Sequence, residues 1–250
     1  VLGDAAALAG ARCVVAAGGD GTVAAVINEL RADVPLAVLA LGNENLVARA
    51  LALPRDPAML AAVVAAGRTR RLDLGLAETS AGPRRFVLMA SAGFDADVVH
   101  RLARWRAGGG APRRVSRLNY GRFLATSLCR YGHPAITLSA GGAECAGGYC
   151  VVSNLPDFAL GVHLVPGACP DDGRLDWLLF ERRGRTALAG YAWAVARARH
   201  VALAHVRGGR AGEVTLSAPV PVPVQLGGDP WGFTPARVRA LPAALRVVVV

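Results

Sequence analysis

CVVAAGGDGTVAAVINEL, Cys13 to Leu30, is the stretch whose reading decides the fold. Five apolar or small residues run into Gly18-Gly19-Asp20-Gly21-Thr22, and an amphipathic run follows at once. The pattern predicts a buried strand over Cys13–Ala17, a glycine turn, and a helix over Thr22–Leu30. Glycine permits positive φ and close approach of a ligand to the backbone. A helix that starts beside such a turn presents free N–H groups and a positive dipole end, which suit a phosphate. Asp20 beside a bare phosphate would repel it, so the acid points to a Mg²⁺-nucleotide. The alternative is a tight turn in which Asp20 is a simple N-cap.

The chain contains no lysine: its 28 basic residues are all arginine, against 18 acids, for a formal charge of +10. That excludes a Walker loop, which needs its GK[ST], a protein kinase with its strand lysine, and any Schiff-base enzyme. Phosphate charge must be met by backbone amides, a metal and arginine. Arginine is densest at Arg101, Arg104, Arg106, Arg113, Arg114 and Arg117. That cluster is read either as a solvated face or as a surface for anionic lipid headgroups. No aromatic-and-basic stacking motif accompanies it, so nucleic acid is not expected as a partner.

Outward from the loop, the first ~70 residues keep a βα rhythm. A second buried strand is expected at Leu36–Leu41, and helices at Asn45–Leu51 and Pro57–Ala66, the latter with Asp56 before a proline in its first turn. Near Gly67 the pattern changes. Strands are expected at Arg71–Ala77 and Phe86–Ala92, around the turn Ser80-Ala81-Gly82-Pro83. Helices are expected at Ala96–Arg106 and Asn119–Arg130, separated by Gly108-Gly109-Gly110. From Ile136 short strands dominate: Ile136–Ser139, Gly148–Ser153, Leu175–Phe180, Val201–Val206, Glu213–Ser217, Val222–Leu226 and Leu245–Val250, interrupted by a helix at Thr186–Arg199. The fold class is therefore α/β plus β: an α/β nucleotide-binding domain over 1–69, then a β-sandwich-like or barrel domain over 70–250. The last strand is a candidate to return to the first domain, and the crevice between the two is the default site.

The cysteines, Cys13, Cys129, Cys145, Cys150 and Cys169, are odd in number and widely spaced, with no CxxC pair and no zinc pattern. They read as reduced thiols in a cytosolic protein, and no signal peptide is recognised. The apolar stretch Thr186–Val206 is broken by Arg197, Arg199 and His200, whereas a spanning helix needs ~20 mostly apolar residues. A packed helix is expected there, in a soluble protein with possible contact at the membrane surface. Trp105, Trp177, Trp193 and Trp231 are expected in the core. His163 and Asn154 are read as edge and turn residues, and Asp95 and Asp97 as acids at a helix N-terminus.

GGDGT after a strand, followed by LALGNENLVARAL (Leu39–Leu51), resembles the diacylglycerol kinase catalytic-domain family, which includes bacterial lipid kinases and is related to the sphingosine kinases. RRLDLGLA and FVLMASAGFDADVV resemble that family's entry into its second domain. VPGACPDDGRLDWLLF (Val165–Phe180) resembles its P-x-A-x-x-D-D-G-x-L-D signature, VQLGGDPWG (Val224–Gly232) its D-G-E-P turn, and ALPAALRVVVV its final strand. Four such matches in one order make the resemblance specific.

The resemblance implies ATP and Mg²⁺ as cofactors and a lipid hydroxyl as acceptor. Gly18, Gly19, Asp20, Gly21, Thr22, Val23 and Ala24 would wrap the phosphates, and Gly42, Asn43 and Asn45 would form a second nucleotide loop. Asp229 would be the general base, with Asp20 the second acid of the chemistry. Asp172, with the carbonyls of Cys169 and Arg174, would hold a further Mg²⁺; the alternative is a plain hairpin turn. Four departures stand out: Asn43 and Leu46 replace the threonine and aspartate of the second loop, Ala24 an asparagine, and Gly227-Gly228-Asp229 the D-G-E turn. The fourth is the family's opening strand, which is not found before Cys13. An NAD kinase-like enzyme and a nucleotide-binding protein with little or no catalysis are the competing readings.

Overall fold

The computed structural model describes residues 11–30, 33–108, 117–158 and 161–250. The α/β part begins with β1 (Val14–Gly18), α1 (Asp20–Glu29) and β2 (Leu36–Ala40). β1 and β2 run parallel, from Val14 opposite Leu36 to Gly18 opposite Ala40. Short α2 (Leu46–Ala50) and α3 (Pro57–Ala66) follow, and the Asp56 carboxylate caps α3 by accepting from the Met59 amide at 2.9 Å.

The chain then builds two sheets. β3 (Thr69–Thr79) and β4 (Gly82–Phe86) form a hairpin; β5 (Met89–Ala92) belongs to the other layer. α4 (Phe94–Ala107) and α5 (Arg117–Arg130) precede β6 (Ile136–Ala140), β7 (Ala143–Gly147), β8 (Tyr149–Ser153) and β9 (Leu175–Phe180). Then come α6 (Arg185–Ala196), β10 (Val206–Ala211), β11 (Glu213–Ser217), β12 (Pro223–Leu226), β13 (Asp229–Phe233) and the long β14 (Ala236–Val248). One sheet runs β1-β2-β14-β11-β6-β7, with β3 also on β14 and β4 on β3; the other runs β10-β9-β8-β5-β12-β13. Phe86, Ile136, Leu138, Val152, Leu179, Leu216, Val224 and Val238 are buried between the layers. The result is a mixed α/β region joined to a β-sandwich.

β14 is the spine. It is antiparallel to β3 from Thr69 to Glu78 and to β11 over Ala236–Arg239, and Val247 lies parallel beside Leu36 of β2. Its register slips between Leu241 and Leu245, where Ala243 has φ +50°. The buried Asp73 carboxylate fills that bulge: one oxygen accepts from the Ala243 amide at 2.7 Å and the other from the Gly173 amide at 2.6 Å.

Several expected elements are corrected. The strand expected over Phe86–Ala92 is two strands, because the chain crosses from one layer to the other at Val87-Leu88. Val201–Val206 is not a strand: His200–Ala202 is a 3-10 turn, and the strand begins at Val206. The final strand starts at Ala236, not Leu245, and β7 and β13 were not anticipated. Trp193 is not a core residue but is 64% exposed.

Candidate functional site

Two loops meet at the C-terminal ends of β1 and β2. The Leu41 amide donates to the Gly18 carbonyl, which sets the loops side by side. A Cβ on Gly42 would lie 2.5 Å from the Cα of Gly19, so the two backbones touch and only glycine fits. Asn45 sits buried at φ +51°, its Oδ1 accepting from the Gly42 amide at 2.8 Å and its Nδ2 donating to the Gly42 carbonyl at 2.6 Å. That clamp shapes the turn Gly42-Asn43-Glu44-Asn45 and leaves Asn43 exposed.

Asp20 reaches across to this second loop. Its Oδ2 accepts from the Leu46 amide and its Oδ1 from the Val47 amide, both at 3.1 Å. It therefore caps α2 rather than α1, and its charge is met by orphan amides of that helix. Of the leading amides of α1, those of Thr22 and Val23 donate to the Gly19 carbonyl at 2.9 and 3.2 Å, which leaves those of Asp20 and Gly21 outside the helical bonds, and a Cβ added at Gly21 would meet nothing within 4 Å. Val23 turns its side chain into the core, and Ala24 accepts from Asn28 through its carbonyl, so both contribute backbone at most. Leu46, where the resemblance has an acid, is buried. The two loops form a paired cradle, and the amides of Asp20 and Gly21 are the groups in it that could meet an anion.

Asp229 opens β13 and pairs with Arg84 of β4, Oδ2 to Nη2 at 3.2 Å; the same guanidinium lies 4.5 Å above the Trp231 ring. The adjacent Arg85 instead meets α1, its amide donating to Asn28 Oδ1 at 2.8 Å. The candidate base is thus linked to the phosphate loop through β4 and the length of α1, not by direct contact. The turn before Asp229 is held by Gln225, whose Oε1 accepts from the Gly228 amide at 2.7 Å. Gln225 Nε2 donates to Ser91 Oγ at 2.8 Å and to Asp95 Oδ2 at 3.1 Å, and Tyr149 and Ser91 donate to the same Asp95 oxygen. Burial pushes the Asp95 carboxyl above the usual carboxylate range, opposed by these donors and the Ala96 amide.

In the turn Cys169–Arg174, Asp172 Oδ1 accepts from the Arg174 amide at 3.0 Å, and Asp172 Oδ2 lies 3.6 Å from Arg210. Arg210 also donates to Asp176 Oδ1 at 2.9 Å and to the Gly167 carbonyl at 2.7 Å. Asp171 pairs with Arg70, and Cys169 Sγ donates to Asp171. A guanidinium thus stands between the two carboxylates that would attract a divalent ion. No cluster of three acid, histidine or cysteine side chains suited to a metal occurs among the described residues. The donors are the hard oxygens Mg²⁺ prefers, and Arg210 shares the Asp172 carboxylate with them from 3.6 Å.

Asn154 is fully buried, its Nδ2 donating to the carbonyls of Asp73 and Val87 at 3.0 Å each, while His163 meets Asp157 at 2.6 Å. Arg101 pairs with Asp97 at 2.6 Å, and Arg104 and Arg106 are exposed. Arg113 and Arg114 lie outside the described residues, as does the side chain of Arg117. Sequence reading missed Asp73, Gln225, Arg84 and Arg210. Asp73, between two leucines of RRLDLGLA, carried a signal: an acid in an otherwise apolar strand demands partners.

Residues 2–77 match the family described as the diacylglycerol kinase catalytic domain, and residues 89–249 match the YegS C-terminal NAD kinase beta sandwich-like domain. The chain belongs to the diacylglycerol kinase-type lipid kinase family. It is 30% identical over 245 residues to a diacylglycerol kinase of Mycobacterium tuberculosis, covering 96% of this chain and 77% of that one. A diacylglycerol kinase from Bacillus anthracis superposes with a TM-score of 0.70 at 14% identity, over 97% of this chain and 79% of that one. An NAD kinase from Archaeoglobus fulgidus, solved in complex with ATP, gives 0.53 at 12% identity, over 95% and 77%. Both structural likenesses concern the fold.

Proposed function

We propose that this chain transfers the γ-phosphoryl group of ATP to the hydroxyl of diacylglycerol or a related long-chain lipid. The observation that carries the reading is the paired-loop cradle, in which Gly19 and Gly42 touch and the Asp20 carboxylate is held by the Leu46 and Val47 amides. The loop Gly18–Ala24 wraps the phosphates, with the amides of Asp20 and Gly21 as donors and Gly42, Asn43 and Asn45 forming the second wall. Asp229 accepts the proton of the lipid hydroxyl on Oδ1 as that oxygen attacks phosphorus, while Arg84 stays paired with Oδ2. Mg²⁺, arriving with the nucleotide, would neutralise charge on the transferred group. The further Mg²⁺ implied at Asp172, with the carbonyls of Cys169 and Arg174, would compete with Arg210 for the same carboxylate.

Two observations favour other readings. The Arg84 ion pair occupies the candidate base, as expected of a nucleotide-binding protein with little catalysis. The likeness to an NAD kinase is consistent with NAD as acceptor. Incubation with labelled ATP and diacylglycerol, sphingosine or NAD in parallel decides among them. Label in diacylglycerol or sphingosine supports the lipid reading; label in NAD alone, or in nothing despite ATP binding, overturns it.

A further inference from the structure

The outer face of α6 is built the wrong way round for a helix in water. A surface helix puts charge on the side facing solvent, yet Thr186, Gly190 and Trp193 share one exposed face at helical spacing, and no charged residue lies between Arg185 and Arg197. Trp193 is 64% exposed, and the neighbouring Val201 is 46% exposed. This face forms one wall of an open groove of about 840 Å³. Four arginines, Arg182, Arg183, Arg197 and Arg199, line the groove with Trp193, and no acid does. Arg197 lies 4.2 Å above the Trp193 ring, and none of the four forms an ion pair with an acid among the described residues. The nearby Glu181 is already taken by Arg207 at 2.7 Å.

We infer that this groove and the outer face of α6 dock the protein on an anionic membrane surface. The charge is of one sign, which suits a negative leaflet, and indole is the side chain that settles at the boundary between headgroups and acyl chains. An uncharged face that carries Trp193 and is rimmed by arginine lets the indole enter the headgroup layer while the guanidinium groups meet the headgroups. The inference rests on the lipid-kinase reading for its purpose, since a lipid acceptor must be met at an interface. It places the contact on α6 rather than on the arginines between Arg101 and Arg117.

The test is co-sedimentation of the full chain, without ATP, with vesicles of phosphatidylcholine alone or mixed with phosphatidylglycerol. Binding should require the anionic lipid and weaken with salt. It should fall roughly fivefold for each of Arg183→Gln and Arg197→Gln, the scale expected for one arginine at a charged surface. Trp193 emission should shift to the blue on binding, and Trp193→Ala should abolish most of that shift. Trp193 is exposed, so this variant should fold as the wild type does, which circular dichroism checks. Wild-type binding by Trp193→Ala and Arg197→Gln overturns the inference, as does salt-sensitive retention on duplex DNA at equal affinity. Concentration-dependent dimerisation lost in Trp193→Ala would assign the face to a second copy and overturn it too. The kinase reading fails separately: vesicle binding through Trp193 with no lipid phosphorylated leaves the surface standing, and phosphorylation with no effect of these variants leaves the enzyme standing.

Discussion

Asp20 Oδ1 stands 3.1 Å from the amide nitrogen of Val47, across 27 positions of chain. The acid in the glycine turn of α1 thereby holds the start of α2, and the two halves of the cradle become one unit. The carboxylate of the glycine turn is thus engaged by another helix rather than by its own.

Replacing Asp20 should therefore act twice. Asp20→Ala removes both acceptors of the Leu46 and Val47 amides and should cost about 1 kcal/mol, as loss of a helix cap does. Asp20→Asn keeps one acceptor and should cost less. Thermal unfolding with and without MgATP provides the measurement. If Asp20→Ala is still stabilised by MgATP as the wild type is, the cradle does not bind the nucleotide through this geometry.

Gly42→Ala tests the contact between the loops. Its Cβ would meet Gly19 Cα at 2.5 Å and Asn45 Oδ1 at 2.9 Å, so backbone must move. The expected cost is about 1–3 kcal/mol for overpacking, with ATP affinity reduced alongside. Gly21→Ala, where nothing lies within 4 Å, should leave the fold stable and disturb only the nucleotide. Denaturant unfolding and ATP titration of the two variants should separate the effects.

For the transfer step, Asp229→Asn should lower kcat by roughly 10²–10⁴, the usual contribution of a general base. MgATP affinity should hardly change, because Asp229 lies off the phosphate loop. Asp229→Glu should retain turnover. Wild-type turnover in Asp229→Asn would remove Asp229 from the chemistry.

Asp95 makes stability depend on pH in a definite direction. Its folded pKa is raised by burial, so its contribution is fully present below the unfolded value and is lost as pH rises through the folded one. Melting temperatures from about pH 4 to 8 should show this decline in the wild type and lose that component in Asp95→Asn. Because Asp95 supports Gln225 and hence the Asp229 turn, kcat of Asp95→Asn should fall while KM for ATP stays near wild type. Equal pH slopes in the two proteins would contradict the burial argument.

Arg210 leads to the last expectation. In the wild type, EDTA should leave the melting temperature unchanged, because the guanidinium already bridges Asp172 and Asp176. Arg210→Ala should melt lower and recover part of the loss with Mg²⁺. A wild-type melting temperature that drops in EDTA would show a metal at this turn.

Much of the fold was legible because it is local. Leu175–Phe180, Glu213–Ser217 and Pro57–Ala66 occupy the expected positions, since hydrophobic period, β-branched runs and a proline after Asp56 act over a few residues. Phe86–Ala92 was misread for a physical reason: Phe86 through Ala92 are all buried, and burial in either layer leaves the same apolar run. Nothing in the composition marks the crossing at Val87-Leu88. β13 was missed because Asp229-Pro230-Trp231-Gly232-Phe233 has the composition of a loop and is held in a strand by its pairing with β12.

The chain's own letters determined that a glycine turn joins a buried strand to a helix, that no lysine stands in it, and that an α/β region precedes a β-sandwich. These follow from the missing side chains at Gly18-Gly19, which let Thr22 and Gly42 pack close, from a residue type that is absent, and from the change of hydrophobic period near Gly67. Only the tertiary structure decided where the charges go: Asp20 to α2, Arg84 to Asp229, Arg210 to Asp172 and Asp176, and Trp193 outward into solvent. These partners lie 26 to 145 positions apart along the chain. Local periodicity reports which face of an element is apolar; which distant group comes to meet that face is set by how the layers pack.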